Sequence, residues 1–498
     1  MLLNAAPVAP IKEVRDPIYQ QTKYEISFRS IGRAAKPIIK EPDKLMTIDE
    51  LEEWLRVNAS YYHKPGRLDE VLHAIVDTYI KAGLVDHSVG TEIEGLVFLP
   101  DRKGQQLKLV LSNMDRPPMP SREQAQACIK LTQHIRTQFY SSGLETDRYA
   151  DFLKVGVVAP VDFARRQSGA VNQYDIIPRR DLGGWTEVGK TFGYAAIPLR
   201  MYRLPLNKGT GQHSHIVGSG SIDTAARFIE QTRWTTMPVV FDEADRYSEW
   251  EEDREARRIL SVLKNSTTLT NPRDTLTSDS EQITKPSAAY VILTHNSPLI
   301  QEDGFSRRCI GHEFTIHDAK IQSQKDAFNQ FWKQPKNTQT FGYLGDFIIN
   351  YYLDHPEVLN NTWLDITKTV LRSFWVDCAG LSEADFNTEW EGWVGNVASS
   401  ATSKDGLIES HTANVVSMLR HMVNEGWSRN KQQLAIWIAT HKRGGYNTAK
   451  GLDDETGKNK ETLDEIIAGA SAIASAKTMR YFFSRSRALV DSLYFQKV

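Results

Sequence analysis

The sequence predicts an α/β core, a parallel sheet flanked by helices, set between an N-terminal α+β segment and an α-helical C-terminal one. Three observations predict it. A glycine-rich turn ending in Gly-Lys-Thr occupies residues 184–191, and about fifty residues later an apolar run ends in Asp-Glu. About fifty residues beyond that, a second apolar run ends in His-Asn. Between Tyr174 and Phe314 short apolar runs alternate with polar turns and helical stretches, the cadence of strands interleaved with helices.

A chain of 498 residues is too long for one compact core. We expect an extended arm over residues 1–45, an accessory domain over 46–118, the α/β core over 119–344 and a helical domain over 345–498. Sixty Lys plus Arg against sixty-two Asp plus Glu leave the chain almost neutral, so any contact with nucleic acid must use local basic patches. The three cysteines, Cys128, Cys309 and Cys378, lie far apart without CxxC spacing, which argues against a disulfide framework or a zinc ribbon. No apolar run has the length of a membrane span. Met1–Lys12 contains two prolines and no basic start, unlike a secretory signal, and a cytoplasmic location is expected.

In chain order, Thr47 with Glu50 three residues on reads as a capping box opening a helix. A second helix is expected from Leu68 to Ala82, stopping at Gly83. Thr91–Leu99 and Gln106–Ser112 alternate and read as a hairpin. Helices followed by a hairpin suit a winged-helix DNA binder or a plain α+β accessory domain. Helices are expected over Arg122–Tyr140 and Asp147–Arg166. After Gly345 strand signals fade into tryptophan-rich helical periodicity, broken by an exposed loop over Gly444–Lys460.

Gly184-Trp-Thr-Glu-Val-Gly189-Lys190-Thr191 matches GxxxxGK[ST]. Glycines let backbone N–H groups turn inward around a β-phosphate, the lysine places its ammonium on phosphate oxygens, and the hydroxyl of Thr191 meets Mg²⁺. An ordinary glycine turn is the alternative. The only apolar stretch ahead of it is Tyr174-Asp-Ile-Ile177, taken as the preceding strand, and Pro198 is expected to end the following helix early.

Met237-Pro-Val-Val-Phe241-Asp242-Glu243 reads as a buried strand next to the loop's strand, delivering Asp242 to the metal and Glu243 to an attacking water. Ala288–Asn296 is another buried strand, with Asn296 at its tip to hydrogen-bond that water or a γ-phosphate. Arg307 and Arg308 follow, either as an arginine finger inserted into a neighbouring subunit or as plain surface arginines.

The series GxxxxGKT, VVFDEAD, ILTHN and FSRR, in this order and spacing, resembles AAA+ ATPases. It is most similar to the superfamily 3 and minichromosome-maintenance-like helicases of viruses and mobile elements. Gly220–Ile229 and Ala150–Pro160 have the same look, and the likeness covers Arg122 to Thr315. The resemblance implies an ATP- and Mg²⁺-dependent motor. Its nucleotide would contact Gly184, Glu187, Val188, Gly189, Lys190, Thr191 and Phe192, and its metal Thr191 and Asp242. Glu243, Asn296, Arg307 and Arg308 would be catalytic. It further implies a homo-oligomeric, hexameric ring and a DNA-gripping hairpin between the second and third strands, where Arg273 and Lys285 are the candidate phosphate contacts; a Thr/Asn-rich surface loop is the alternative there.

The tail Ala476–Arg487 mixes arginines with Tyr481, Phe482 and Phe483, suited to stacking bases or to an amphipathic terminal element. His213-Ser-His215 is too sparse for a metal site and reads as a polar loop. The function expected is an ATP-dependent helicase or translocase acting on single-stranded or forked DNA. A remodelling or packaging motor, or a nucleotide-switched initiator without unwinding activity, are the alternatives.

Overall fold

The structure is a computed structural model and describes residues 5–30, 45–58, 68–101, 106–141, 143–169, 176–209, 213–221, 223–267, 287–300, 302–315 and 318–395. Arg273, Lys285, the Gly444–Lys460 break and the 476–487 tail lie outside the described residues. Among the described residues no helix is long and apolar enough to cross a membrane.

At the N-terminus, β1 (Ala5–Asp16) and β2 (Gln21–Ser30) form an antiparallel pair, and β3 (Val85–Val89) adds parallel to β1. Helices Ile48–Asn58 and Leu68–Lys81 cover this sheet, burying Leu51, Leu55, Leu72 and Val76 against Ile11, Ile26 and Phe28. The first opens on the expected reciprocal bonds between Thr47 and Glu50, and Gly83 follows the second in the left-handed region that favours glycine. Residues 5–30 are therefore paired strands rather than an arm. The prolines concealed this: the register shifts between Val8 and Lys12, around Pro10, and such an irregularity tolerates a residue without an N–H. The hairpin of β4 (Gly95–Pro100) and β5 (Leu107–Ser112) pairs only with itself among the described strands. It leans on the core, where the Leu96 amide donates to Thr236 Oγ1, instead of joining the two helices as a wing.

Among the described residues six strands form the central sheet: β6 (Arg179–Gly184), β7 (Lys208–Gly209), β8 (Ile216–Val217), β9 (Pro238–Asp242), β10 (Tyr290–Thr294) and β11 (Cys309–Phe314). Their order is β11-β6-β10-β9-β8-β7, and every neighbouring pair is parallel. Alternation along the strands splits the core between two faces. Leu182, Val240 and Ile292 pack on one side with helices Arg122–Phe139, Gly143–Val158 and Pro335–Asp354. Val239, Phe241, Val291 and Leu293 pack on the other with helices Ala225–Arg233 and Arg254–Asn265. Residues 344 and 345 fall inside the Pro335–Asp354 helix, whose Phe341, Leu344, Phe347 and Ile348 are buried in the first of these layers. Helical periodicity alone could not separate a core layer from a new domain.

The strand ahead of the glycine loop is Arg-Arg-Asp-Leu-Gly-Gly, displaced from the apolar Tyr174–Ile177 stretch expected for it. Arg179, Arg180 and Asp181 are all buried, and each charge is paired. Arg180 makes a two-pronged contact with Asp151, at 2.5 and 2.6 Å, and Asp151 also meets His312 Nε2 at 2.8 Å. Arg179 pairs with Asp162 at 2.9 Å, and Asp181 with His295 at 2.6 Å. Burial would raise the Asp151 pKa, but Arg180 and His312 hold it far below the usual carboxylate range.

Because Arg180 lies fully inside the protein, removing its partner strands a charge. Asp151→Ala should destabilise the chain by about 3–5 kcal/mol, read as a lowered urea midpoint. A midpoint within about 0.5 kcal/mol of wild type would show that the pair does not hold the strand.

Candidate active site

The three strands that carry the sequence signals end side by side. From the carboxyl end of β6 the chain turns through Gly184, whose φ of 101° and whose contact with Phe314 leave no room for a side chain. Gly189, also at positive φ, admits the chain to a widened helical turn over Lys190–Ala195, in which the Ala196 amide reaches back five residues to Thr191. Helix Ala196–Met201 continues it, with Pro198 in its first turn, so the proline does not end the helix.

Glu187, Val188, Gly189, Lys190, Thr191 and Phe192 line an open cleft together with Asp242, Glu243, Thr294, His295 and Asn296. Its cavity volume is about 220 Å³, and it lies outside the carboxyl ends of parallel strands, where ligands of such sheets bind. Gly184 stands behind it and offers its carbonyl to Lys190 Nζ at 2.8 Å.

The acidic strand was expected beside the strand of the glycine loop; instead β10 lies between them. Thr294 at the end of β10 therefore becomes part of the site. Its hydroxyl donates to Asp242 Oδ1 at 2.8 Å, and Thr191 Oγ1 reaches the same oxygen at 2.6 Å. Burial would raise the Asp242 pKa, but these hydrogen bonds and the charge of Lys208 keep it below the carboxylate range. An ionised carboxylate and a hydroxyl on one side of the cleft suit Mg²⁺, which takes few protein ligands and completes its shell with water and phosphate. Among the described residues no group of three or more His, Cys, Asp or Glu could hold a metal unaided.

Lys190 Nζ contacts the Trp185 carbonyl at 2.7 Å and Asn296 Oδ1 at 3.2 Å, which brings Asn296 to the lysine. Half-burial draws the lysine pKa down to about 8 against the opposing charges of Asp245 and Asp242. Glu243 follows Asp242 in the left-handed region, at φ 60°, unusual for a non-glycine residue and common where a side chain is aimed for function. Lys208 bridges the two acids, 3.2 Å from Asp242 and 3.0 Å from Glu243. Sequence reasoning missed Lys208, a lone lysine on the two-residue strand β7 with no motif around it, and missed the role of Thr294.

Arg307 and Arg308 do not reach this cleft. They precede β11, whose register with β6 places Cys309 opposite Arg179 and Phe314 opposite Gly184. Arg308 stands six residue steps and Arg307 seven from Phe314, opposite the loop end, a separation of roughly 20 Å along a strand. Arg307 is exposed, and Arg308 folds back to the Gly304 carbonyl at 2.8 Å. His215 is buried with Nδ1 3.0 Å from the Pro238 carbonyl and its ring edge-on to Trp234; it is part of the core rather than of a polar loop.

No family model and no curated protein matches the chain. Among solved structures, one described as "SCCmec type IV Cch - active helicase" is similar at a TM-score of 0.45 and 12% identity, over 87% of this chain and 79% of that chain. At that score and identity the likeness assigns no chemistry.

Two outcomes follow from this geometry. Lys190→Ala should weaken binding of a magnesium–nucleoside triphosphate by roughly tenfold to a hundredfold, the worth of a charge-assisted bond; unchanged affinity by calorimetry would remove the lysine from the phosphate site. Burial lowers the His215 pKa to about 4 from 6.5, so between those values the unfolded chain binds a proton that the folded chain refuses. Stability should be complete above 6.5 and fall as pH drops toward 4. In His215→Gln, whose amide can still donate to Pro238, the urea midpoint should fall less over that window.

Proposed function

We propose that the cleft binds ATP with Mg²⁺ and hydrolyses it, and that the chain is an AAA+-type motor acting on DNA, a helicase or translocase working as a ring. One observation carries the reading: Lys190, Thr191, Asp242, Glu243 and Asn296, spread over more than a hundred residues of sequence, line a single cleft. Their chemistry divides as phosphoryl transfer requires. Lys190 and the loop amides hold phosphate oxygens, and Thr191 and Asp242 hold the metal. Bound there, Mg²⁺ would neutralise charge on the transferring group. Glu243, at the rim, orients and deprotonates a water, and the Asn296 amide hydrogen-bonds that water or the terminal phosphate.

Among the described residues no arginine lines the cleft, and Arg307 and Arg308 sit at the opposite end of the sheet. This favours a shared site in which a neighbour's arginine completes the cleft, and hence the oligomer. The DNA assignment rests on the sequence resemblance alone, its contacts Arg273 and Lys285 lying outside the described residues.

Glu243→Gln should retain ATP binding and lose turnover by roughly a hundredfold or more. Retained turnover would take Glu243 out of the general-base role. Mixing Glu243→Gln with Arg307→Ala, and separately with Arg308→Ala, should restore part of the activity in at least one mixture, since only a mixed oligomer holds an intact shared site. Absence of recovery in both would place the arginines outside catalysis. DNA-stimulated hydrolysis with unwinding of a forked substrate separates a helicase from a remodeller or a nucleotide switch.

A further inference from the structure

His295 stands between Thr294, which bonds Asp242, and Asn296, which bonds Lys190, yet the cleft chemistry gives it no task. It is 1% exposed, and its Nε2 lies 2.6 Å from Oδ1 of Asp181, itself 2% exposed. The other ring nitrogen has no hydrogen-bond partner among the described residues, so the ring's direction depends on Asp181. The second oxygen of Asp181 accepts the Ile300 amide at 2.9 Å. One carboxylate on β6 thus grips both ends of the turn that leaves β10.

The turn is held to the strand at further points. The His295 amide donates to the Leu182 carbonyl at 3.0 Å, and Gly184 N–H to the Ser297 carbonyl at 2.8 Å. A Cβ on Gly183 would lie 2.8 Å from both His295 Cε1 and the Ser297 carbonyl, so the turn rests directly on the backbone of β6. From the β9 side, Asp245 accepts the Asn296 amide at 2.7 Å and the Ser297 hydroxyl at 2.9 Å. Beyond it, Ser306 Oγ donates to the Ile300 carbonyl at 3.2 Å, immediately before Arg307.

We propose that the buried Asp181–His295 pair is a positioning device with two ends: it sets Asn296 against Lys190 in the cleft, and through Ile300 and Ser306 it ties that placement to the segment bearing Arg307 and Arg308. The inference rests on the reading of the cleft as a site of triphosphate hydrolysis. Asp181 lies outside the lining of the cleft. A change in the cleft that moves Asn296 is transmitted along a bonded path of six residues to the opposite end of the sheet, to the segment that bears Arg307 and Arg308.

Asp181→Asn, nearly the same size, tests this. Turnover should fall roughly tenfold to a hundredfold, the effect of a slightly misplaced catalytic group. Affinity for a non-hydrolysable ATP analogue should stay within about threefold, as for a loss felt in the transition state. In an Asn296→Ala background the same substitution should cost no further turnover, because the pair acts through that amide. Hydrogen exchange over residues 296–308 of the nucleotide-free protein should quicken. If Asp181→Asn proves insoluble, His295→Gln carries the same measurements. Affinity and turnover falling together, full additivity with Asn296→Ala, or unchanged exchange would each overturn the proposal. The exchange arm needs no activity: a wild-type protein that hydrolyses no triphosphate sinks the functional reading, while exchange alone still judges the tether.

Discussion

The arrangement depends on charges buried in the middle of a sheet. β6 lies inside the sheet between β11 and β10, a place usually given to Val, Ile and Leu, yet it opens with Arg179, Arg180 and Asp181. Each is met by a partner from a different element: Asp162 and Asp151 from the helical layer, and His295 from the tip of β10. Such pairs contribute little net stability compared with an apolar isostere, but they are unforgiving of misplacement. An apolar strand can slide by two residues and still bury its side chains; this one cannot, because Arg180 must meet Asp151 from both prongs. The register of β6, and so the position of the glycine loop at its end, is set by ion pairs.

That arrangement also explains which parts of the fold were legible in the sequence. β9 and β10 are uninterrupted apolar runs with polar tips, and both lie where the pattern places them. The hairpin and the helices at Thr47, Leu68 and Arg122 follow from alternation, capping and periodicity, all of which are local. β6 was illegible because hydrophobic patterning treats three consecutive charges as surface, and their partners lie from 17 to 114 residues away. β7 and β8, two residues each, are too short to leave a pattern. The pairing of β1 with β3 joins segments some seventy residues apart, and nothing in either predicts the other.

The site divides along the same line. Lys190, Thr191, Asp242, Glu243 and Asn296 belong to compact motifs whose chemistry can be named from residue type and spacing. Lys208, Thr294, Asp181 and Asp245 act on those residues through space. Their importance comes from strand order: with β10 inserted between β6 and β9, the Thr294 hydroxyl falls between Thr191 and Asp242, and the turn after it is held by a carboxylate from each flank. Spacing along a chain gives no information on which strand lies in the middle.

A parallel sheet has two unlike ends, and this chain puts opposite charge requirements on them. The carboxyl end gathers amides and a lysine around a cleft suited to an anion. The amino end of β11 presents Arg307 and Arg308. If the arginines serve such a cleft, the contact joins one copy's amino end to another's carboxyl end, a head-to-tail interface rather than a two-fold one. Repetition of that contact yields a closed ring when the rotation per copy divides a full turn and a filament when it does not. Each closed site then contains Asn296 from one copy and an arginine from the next, and the Asp181 carboxylate lies within every subunit on the short bonded path between the site it completes and the site it helps its neighbour complete.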